Sequence, residues 1–422
     1  MPLQVTTSEL SSGMRLHQAV YDGPRLLLPA GKELNSADAD YLRHRRPGAS
    51  VFIEDPVLDE LVAFEDERRN WHVARAARAA LVNRLSGVQE RFASRMSLKA
   101  VDCRGVEEAV AGVLSFLQEN PVTAATLLEP KDDEHYLVTH SAHVFYLSIV
   151  IGTAVRAQVA RSRSTQLARH DVRPIVELNL TPLGLAALFM DAGMWPIIYL
   201  YDRSEPLTDE QCELVRQHPL VGAGMLPAEI PDVIKVVVST HHENIDGSGY
   251  PYALKGDEIH LFARILRIAD AYAAATSTTG YRDACSPPRA LWEMTLGPFA
   301  ELFDPVLLKV FAQLIHPFPI GAKLRLSCGR YGVVVRYGNV SPFHPQVIIA
   351  FDENGDRLPE HLLEGPIELH ERDDLTIVSF AGEDLTDLYT SDPDAFSIAP
   401  SEFTTLYESA YTGCALPATP SL

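Results

Sequence analysis

Two adjacent histidines, His241 and His242, precede a glycine-rich turn in the stretch HHENIDGSGYP. Two more histidines, His140 and His218, lie in helical patterns earlier in the chain, and Asp270 lies in a later one. Imidazole and carboxylate groups gathered from several helices are typical ligands of a catalytic divalent metal, which could activate water for hydrolysis. The sequence therefore raises the hypothesis of a metal site formed by side chains from separate helices.

The helix that contains His140 directs this side chain inward. In YLVTHSAHVFYLSIVIG, Tyr136, His140 and Val144 recur at helical spacing on the apolar face, whereas His143 points elsewhere. A lone histidine on such a face is usually a hydrogen-bonded core residue, and that alternative remains open for His140 taken by itself.

The two later histidine segments also permit inward placement. Thr208 and Gln211 in LTDEQCELVRQHPLVG fit the capping box that begins a helix. His218 lies one turn past Leu214 and just before Pro219, so it can face inward at the end of that helix. The run DVIKVVVSTHH fits either a strand or a buried helix. If it is a helix, His241 shares a face with the valines, and His242 follows Val238 by one turn.

The last helical segment, LFARILRIADAYAAATS, places an aspartate among small apolar residues. Arg264 and Arg267 form a predicted polar strip, and Asp270 lies off that strip among alanines. A buried carboxylate there would require a cation or strong hydrogen-bond donors. The alternative is a solvated aspartate on an alanine-lined surface.

Composition limits the possible classes of protein. The chain has 422 residues, of which 46% are hydrophobic and 22% charged, so we expect a globular protein of about two to four domains. We find no apolar run of the roughly 18 residues that a membrane span needs, and no secretory signal, so we expect a cytoplasmic protein. The net charge of −20 argues against duplex nucleic acid as a partner. Five scattered cysteines predict free thiols: Cys103, Cys212, Cys285, Cys328 and Cys414.

Hydrophobic patterning divides the chain into five predicted segments. Short apolar runs and turn signals predict a small β-containing domain over residues 1–56. The Ala/Arg-rich residues 57–100 predict a linker helix that could pair in a homodimer. A helical domain over 101–315 follows, then a small β barrel or sandwich over 316–382 and an acidic, disordered tail over 383–422. The predicted fold class is mainly α, with a small β-containing domain on each side.

The ordered motifs resemble those of a known family. HHENIDGSGYP followed by ARILRIADAYAAATSTTGYR is similar to the signature of the HD-GYP family of bacterial cyclic di-GMP phosphodiesterases. LGLAALFMDAGMWPI and LTDEQCELVRQHPLVGAGML resemble that family's earlier segments in the same order, so the resemblance covers about half of the chain. It implies a helical HD domain that binds two or three metal ions, usually iron or manganese, and cleaves a phosphodiester in second-messenger signalling.

The resemblance also implies roles for individual residues. It implies these metal ligands, with Asp191 as the bridging and catalytic one: His140, Asp191, His218, His241, His242 and Asp270. The loop that would face the substrate contains Asp246, Gly247, Gly249, Tyr250 and Pro251.

This sequence departs from the family pattern at several positions. Met190 replaces the histidine of the HD motif, Met194 replaces the lysine expected to hold phosphate, and Tyr136 replaces the extra ligand of three-metal members. Ala273 and Gly280 replace a usual aspartate and proline. The literal dipeptide at residues 170–171 lies in a polar setting, so we take Met190-Asp191, at the end of an apolar helix, as the motif.

These departures leave two functional hypotheses. The set Asp191, His218, His241 and His242 predicts one tight metal site, and the loss of an imidazole at Met190 predicts a weak or absent second site. The first hypothesis is a weak or inactivated cyclic di-GMP phosphodiesterase that acts on cyclic di-GMP or a related nucleotide. The alternative is an inactive signalling module that acts through nucleotide or protein contacts, including a protein partner at the GYP loop.

Overall fold

A computed structural model describes the chain in segments. The described residues are 2–22, 25–61, 108, 110–112, 115, 136–167, 178–200, 205–277, 284–338, 341–388, 393–396 and 398. Most of the predicted linker helix, the dipeptide at 170–171, Gly280 and the end of the predicted tail lie outside them. The chain divides into two compact units, which we call the terminal unit (Met1–Arg69, Ser286–Arg289, Ile315–Phe396) and the helical unit (Asn70–Cys285, Ala290–Leu314, Ser397–Leu422).

The terminal unit contains all the described strands. Its first part comprises β1 (Pro2–Thr6), β2 (Val20–Asp22), β3 (Arg25–Leu28), α1 (Ser36–Arg45), β4 (Ser50–Glu54) and α2 (Pro56–Leu61). Strand β1 pairs with β4, and β2 with β3, both antiparallel. The later part comprises β5 (Lys323–Leu326), β6 (Tyr331–Arg336), β7 (Gln346–Phe351), β8 (Glu364–Glu368), β9 (Ile377–Phe380) and β10 (Glu383–Asp384). These six strands form an antiparallel sheet in the order β10-β9-β5-β6-β7-β8.

The two β-containing stretches at opposite ends of the sequence share one hydrophobic core. Leu3 and Leu42 belong to the same buried cluster as Val333 and Phe351. The backbone N–H of Gln4 donates a 2.9 Å hydrogen bond to the Gly321 carbonyl. Burial of apolar side chains contributes about 1.5–3 kcal/mol each, so both stretches stabilise one core.

The sheet extends into the segment that we expected to be a disordered tail. Residues Glu383–Asp384 form β10 and pair with β9. Leu385, Leu388 and Phe396 are buried. The acidic composition suggested disorder, but these widely spaced apolar side chains bind the start of the segment to the sheet.

The helical unit supplies the elements that position the candidate site. Its helices are α3 (Tyr136–Leu167), α4 (Thr181–Phe189), α5 (Asp209–Arg216), α6 (His218–Met225), α7 (Asp232–Thr240), α8 (Leu261–Ala275), the greater part of α9 (Pro287–Thr295), and α10 (Pro305–Leu314). Helix α3 packs against α4, α8 and α10, and α7 packs against α4 and α6. The expected helical middle is confirmed, and DVIKVVVSTHH forms a helix rather than a strand.

The structure of helix α8 differs from the predicted pattern in the burial of one arginine. Leu261, Ile265 and Ile268 are buried as expected. Arg264, however, is also buried and pairs with the buried Asp304 at 2.7 Å. The predicted polar strip is therefore wrong at Arg264, because a carboxylate forty positions later in the chain compensates its charge inside the unit.

The expectation of no membrane-length apolar run is also corrected. Thr181–Leu200 is long and apolar enough to cross a membrane by length and composition alone. In this structure 72% of its apolar window is buried inside the protein, and the segment includes Asp191. We assign it to the core of the helical unit, where it supports the candidate site.

Candidate metal centre

Six side chains predicted as metal ligands converge in the helical unit. His140 comes from α3, Asp191 from the turn after α4, and Asp270 from α8. His218 is the first residue of α6, while His241 and His242 follow the end of α7. Five of the six are buried and His242 is half-buried.

Asp191 lies between two histidines. One carboxylate oxygen is 3.3 Å from His218 Nε2, and the other is 3.7 Å from His140 Nε2. Burial alone would raise the pKa of Asp191, but the side-chain interaction with His218 and the charge of His140 lower it. A carboxylate in this position can contact groups on both sides of the cluster.

Asp270 and His140 form the second half of the cluster. His140 Nε2 is 3.0 Å from Asp270 Oδ1, and His242 Nδ1 is 3.6 Å from Asp270 Oδ2. Burial opposes ionisation of Asp270, yet the hydrogen bond with His140 holds its pKa well below the usual value. Asp270 is only 7% exposed, so the alternative of a solvated aspartate is excluded.

The imidazole of His140 has a hydrogen-bond partner at Nε2 but none at Nδ1. The Nδ1 atom is buried. Tyr136 stacks on the ring, with centroids 5.3 Å apart and planes at 10°. Burial would lower the pKa of His140, but the hydrogen bond with Asp270 and the charges of Asp270 and Asp191 raise it. An ordinary core histidine would not be expected to contact two buried carboxylates.

The histidines on the other side of Asp191 present lone pairs to one another. His218 Nδ1 lies 2.7 Å from the Val215 carbonyl, and His241 Nδ1 lies 2.7 Å from the Val238 carbonyl. If each Nδ1–H donates to its carbonyl, both Nε2 atoms are acceptors. These two Nε2 atoms are 3.2 Å apart, and Asp191 Oδ1 is 3.3 Å from His218 Nε2. Converging acceptors at such distances require a cation or a proton among them.

This arrangement fits a divalent transition metal. Ligand nitrogens of His218, His241 and His242 all lie within 4.8 Å of one another. Burial, together with the neighbouring His218, lowers the pKa of His241 to about 4. Burial and the neighbouring His241 lower the pKa of His242 well below its usual value. Neutral imidazoles are the form that binds metal, and nitrogen ligands with carboxylate oxygens suit iron or manganese.

A close backbone approach holds the two ligand-bearing segments together. Gly193, two residues after Asp191, packs against the start of α6. A Cβ at Gly193 would lie 2.1 Å from the His218 carbonyl oxygen and 2.7 Å from the Gly222 nitrogen. Only glycine permits this contact, which keeps Asp191 near His218.

A short loop borders the cluster beside His242. Tyr250 stacks on His242 with centroids 4.8 Å apart and planes at 26°. Gly247 has a φ of +84°, which favours glycine, and a Cβ at Gly249 would lie 2.2 Å from the Asn244 nitrogen. The peptide bond before Pro251 is cis.

Two carboxylates shape the loop, and one of them, Glu243, was not assigned from the sequence. The buried Glu243 accepts hydrogen bonds from the backbone N–H groups of Tyr252 at 2.7 Å and Leu254 at 3.0 Å. Asp246 accepts bonds from both the backbone and the hydroxyl of Ser248. Glu243 directly follows the histidine pair, and this adjacency was the available signal for its role in positioning the loop.

Met190 and Met194, the two methionines that depart from the family pattern, are core residues. Met190 directly follows α4 and is fully buried, and Met194 is 1% exposed. The Met194 N–H donates a 2.9 Å bond to the Asp191 carbonyl. The backbone around Asp191 is therefore well formed, although neither side chain supplies an imidazole or an ammonium group.

Comparison with known proteins relates the helical unit to HD domains. Residues 159–307 match the family model described as HD domain. This range contains every predicted metal ligand except His140. The chain is 30% identical over 294 residues to Cyclic di-GMP phosphodiesterase PA4108 of Pseudomonas aeruginosa, covering 69% of this chain and 64% of that protein. It is 29% identical over 110 residues to 3'3'-cGAMP-specific phosphodiesterase 2 of Vibrio cholerae, covering 25% of this chain and 21% of that protein.

One solved structure is also similar. Bd1817, an HDG"Y"P protein from Bdellovibrio bacteriovorus, aligns with a TM-score of 0.42 and 14% identity, covering 74% of this chain and 98% of that one. The chain spans less than two thirds of the length of both curated relatives named above.

Proposed function

We propose that the HD domain of this chain is of the HD-GYP type and is a metal-dependent phosphodiesterase for cyclic di-GMP or a related cyclic dinucleotide. The names of the Pseudomonas and Vibrio relatives support a substrate with two phosphodiester bonds. The two-metal site is depleted by Met190, so we expect activity to be weak.

The observation that carries this proposal is the convergence of acceptors at the histidine pair. The Nε2 atoms of His218 and His241 lie 3.2 Å apart beside Asp191, an arrangement that a bound cation would stabilise. We assign the tight metal position to Asp191, His218, His241 and His242. When bound, a divalent metal there would polarise the phosphodiester and activate water for attack on phosphorus.

The second position would use His140, Asp191 and Asp270. It has no third imidazole, because Met190 occupies the position of the usual histidine. The 3.0 Å hydrogen bond between His140 and Asp270 adds a cost, since binding there would displace the proton that they share. We therefore expect about one tightly bound metal per chain and a much weaker second one.

The residues around the metal positions would organise the reaction. Asp191 contacts both histidine groups and would keep their ring nitrogens aimed at the metal positions. Glu243 fixes the loop by two backbone hydrogen bonds and so holds Tyr250 against His242. The stacked Tyr250 and His242 rings would shield one side of the cluster from water.

Hydrolysis of cyclic di-GMP by anaerobically prepared protein, supplied with Fe²⁺ or Mn²⁺, tests the proposal. We expect slow turnover that Asp191→Ala abolishes and that Asp232→Ala, an exposed aspartate with 82% of its side chain accessible, leaves unchanged. If Asp191→Ala cleaves cyclic di-GMP at the same measurable rate as the unaltered protein, the proposed site is wrong.

A second candidate function is a binding module without hydrolysis. The buried Met190 and Met194 favour it, because they remove a metal ligand and a phosphate-binding charge from the family pattern. Output would then pass through a nucleotide or a signalling partner at the loop from Asp246 to Pro251, or through a homodimer. Tight binding of cyclic di-GMP without turnover at high enzyme concentration would favour this candidate.

A further inference from the structure

Two arginine side chains adjoin the cluster, and the metal-binding assignment does not use either of them. Arg267 lies on α8, one turn before Asp270, and Arg216 is the last residue of α5. The Arg216 guanidinium lies over the ring of Tyr250, which stacks on His242, and the Arg267 guanidinium lies beside Asp270.

Arg267 is held in a fixed orientation. Its Nε donates a 2.8 Å hydrogen bond to Asn244 Oδ1, and its guanidinium lies 5.3 Å from the centre of the Phe303 ring. Its NH1 atom is 4.0 Å from Asp270 Oδ2, too far for a hydrogen bond. The side chain is 18% exposed, so the remaining N–H groups can meet a ligand at the edge of the cluster.

Arg216 lies farther out, on the surface. It is exposed, and its guanidinium lies 5.9 Å from the centre of the Tyr250 ring. Within the described part of the chain, no carboxylate pairs with it. An arginine without an anionic partner, beside an ordered aromatic ring in a protein of net charge −20, has the properties of an anion-binding group.

We propose that Arg267 and Arg216 hold the two phosphodiesters of a cyclic dinucleotide, one each. Arg267, next to Asp270, would hold the phosphodiester that is cut, and Arg216 would hold the other one beside Tyr250. The planar guanidinium forms paired hydrogen bonds with phosphate oxygens, which compensates for the charge missing at Met194. This inference rests on the proposed function and deepens it, because it makes a substrate with two phosphates the preferred one.

Steady-state kinetics of the full chain with Mn²⁺ test the inference on two substrates. Cyclic di-GMP carries two phosphodiesters, and bis(4-nitrophenyl) phosphate carries one. For Arg216→Gln we expect the KM for cyclic di-GMP to rise about 10-fold or more with kcat little changed, and the preference over the small diester to fall by a similar factor. For Arg267→Gln we expect kcat/KM to fall about 10-fold or more on both substrates.

Three further measurements separate binding from structural effects. Arg336→Gln, which removes an exposed arginine from the terminal unit, is the matched control and should change neither substrate's kinetics. Arg216→Lys keeps the charge without the paired donors and should recover part of the affinity. Metal content and thermal stability should be the same in Arg216→Gln as in the unaltered protein.

The outcomes distinguish this inference from the proposed function. If the unaltered protein cleaves cyclic di-GMP but Arg216→Gln leaves its KM and substrate preference unchanged, the inference is wrong and the function stands. If the protein binds cyclic di-GMP without cleaving it, calorimetry gives the Kd for cyclic di-GMP of the unaltered protein and of Arg216→Gln. A Kd that rises about 10-fold or more in the variant supports the assignment of Arg216, and an equal Kd contradicts it. If it neither binds nor cleaves cyclic di-GMP or 3'3'-cGAMP, both the inference and the proposed function fail.

Discussion

Substituting Gly193 with alanine should separate two ligand-bearing segments without removing any ligand. The new Cβ would lie 2.1 Å from the His218 carbonyl oxygen and 2.7 Å from the Gly222 nitrogen. Non-bonded heavy atoms prefer separations of about 3.5 Å, so the backbone must move by about 1 Å. Both obstructing atoms are backbone, so no side chain can rotate away to relieve the contact.

This backbone movement should lower both the stability of the protein and its affinity for metal. Overpacking of this kind costs about 1–3 kcal/mol, which corresponds to a fall in melting temperature of about 2–12 °C for a unit of this size. The same movement would lengthen the 3.3 Å approach of Asp191 to His218. Disturbing groups that support a metal site commonly lowers metal affinity about 10- to 100-fold, and we expect a loss in that range.

The assay is a manganese titration by calorimetry, with thermal unfolding measured in parallel. Gly224→Ala is the matched control, because it adds the same methyl group to α6, the helix that Gly193 contacts, at a position where no atom lies within 4 Å. We expect this control to be neutral or stabilising by up to about 1 kcal/mol, with metal affinity unchanged. Equal metal affinity in the two variants would refute the role given to the Gly193 contact.

Three other changes probe separate features. Met190→His should raise the metal content from about one to about two ions per chain, measured by mass spectrometry; an unchanged content would mean that the second pocket has been remodelled. Asp304→Ala removes the carboxylate 2.7 Å from the buried Arg264 and leaves the exposed Asp257, at 3.5 Å, as a weaker partner, so it should lower the free energy of unfolding by up to about 3–5 kcal/mol in denaturant titration; a loss under about 1 kcal/mol would contradict this pairing. For Asp270 the lowered pKa means that ionisation stabilises the metal-free protein above the usual value of 3.8 and that this stability is lost as the pH falls below it. The difference in unfolding free energy between metal-free protein and its Asp270→Asn variant should therefore shrink steadily as the pH falls below about 4, toward the much lower folded pKa, whereas a constant difference would contradict the assignment.

Helical periodicity predicted much of the candidate site. The capping box at Thr208 and Gln211 forms as expected and begins α5, after which His218 begins α6. The inward direction of His140 and the burial of Asp270 are both confirmed. These predictions succeeded because side-chain direction along a helix is a local property of the sequence.

Contacts between distant segments were not predictable from local pattern. The burial of Arg264 depends on Asp304, which lies on a different element, and the shared core of the terminal unit joins strands more than 300 positions apart. The Gly193 contact depends on how the segment after α4 crosses the start of α6. Such pairings are set by the three-dimensional packing, which hydrophobic periodicity in one sequence does not encode.

The central claim is that the histidine and aspartate cluster binds a divalent metal. The most direct test is the metal content of anaerobically purified protein, compared with that of His241→Gln. We predict about one iron or manganese ion per chain, and a loss of nearly all of it in the variant, because the Nε2 atom facing His218 is removed. Protein that contains no transition metal after careful preparation, or a variant with an equal content, would contradict the claim.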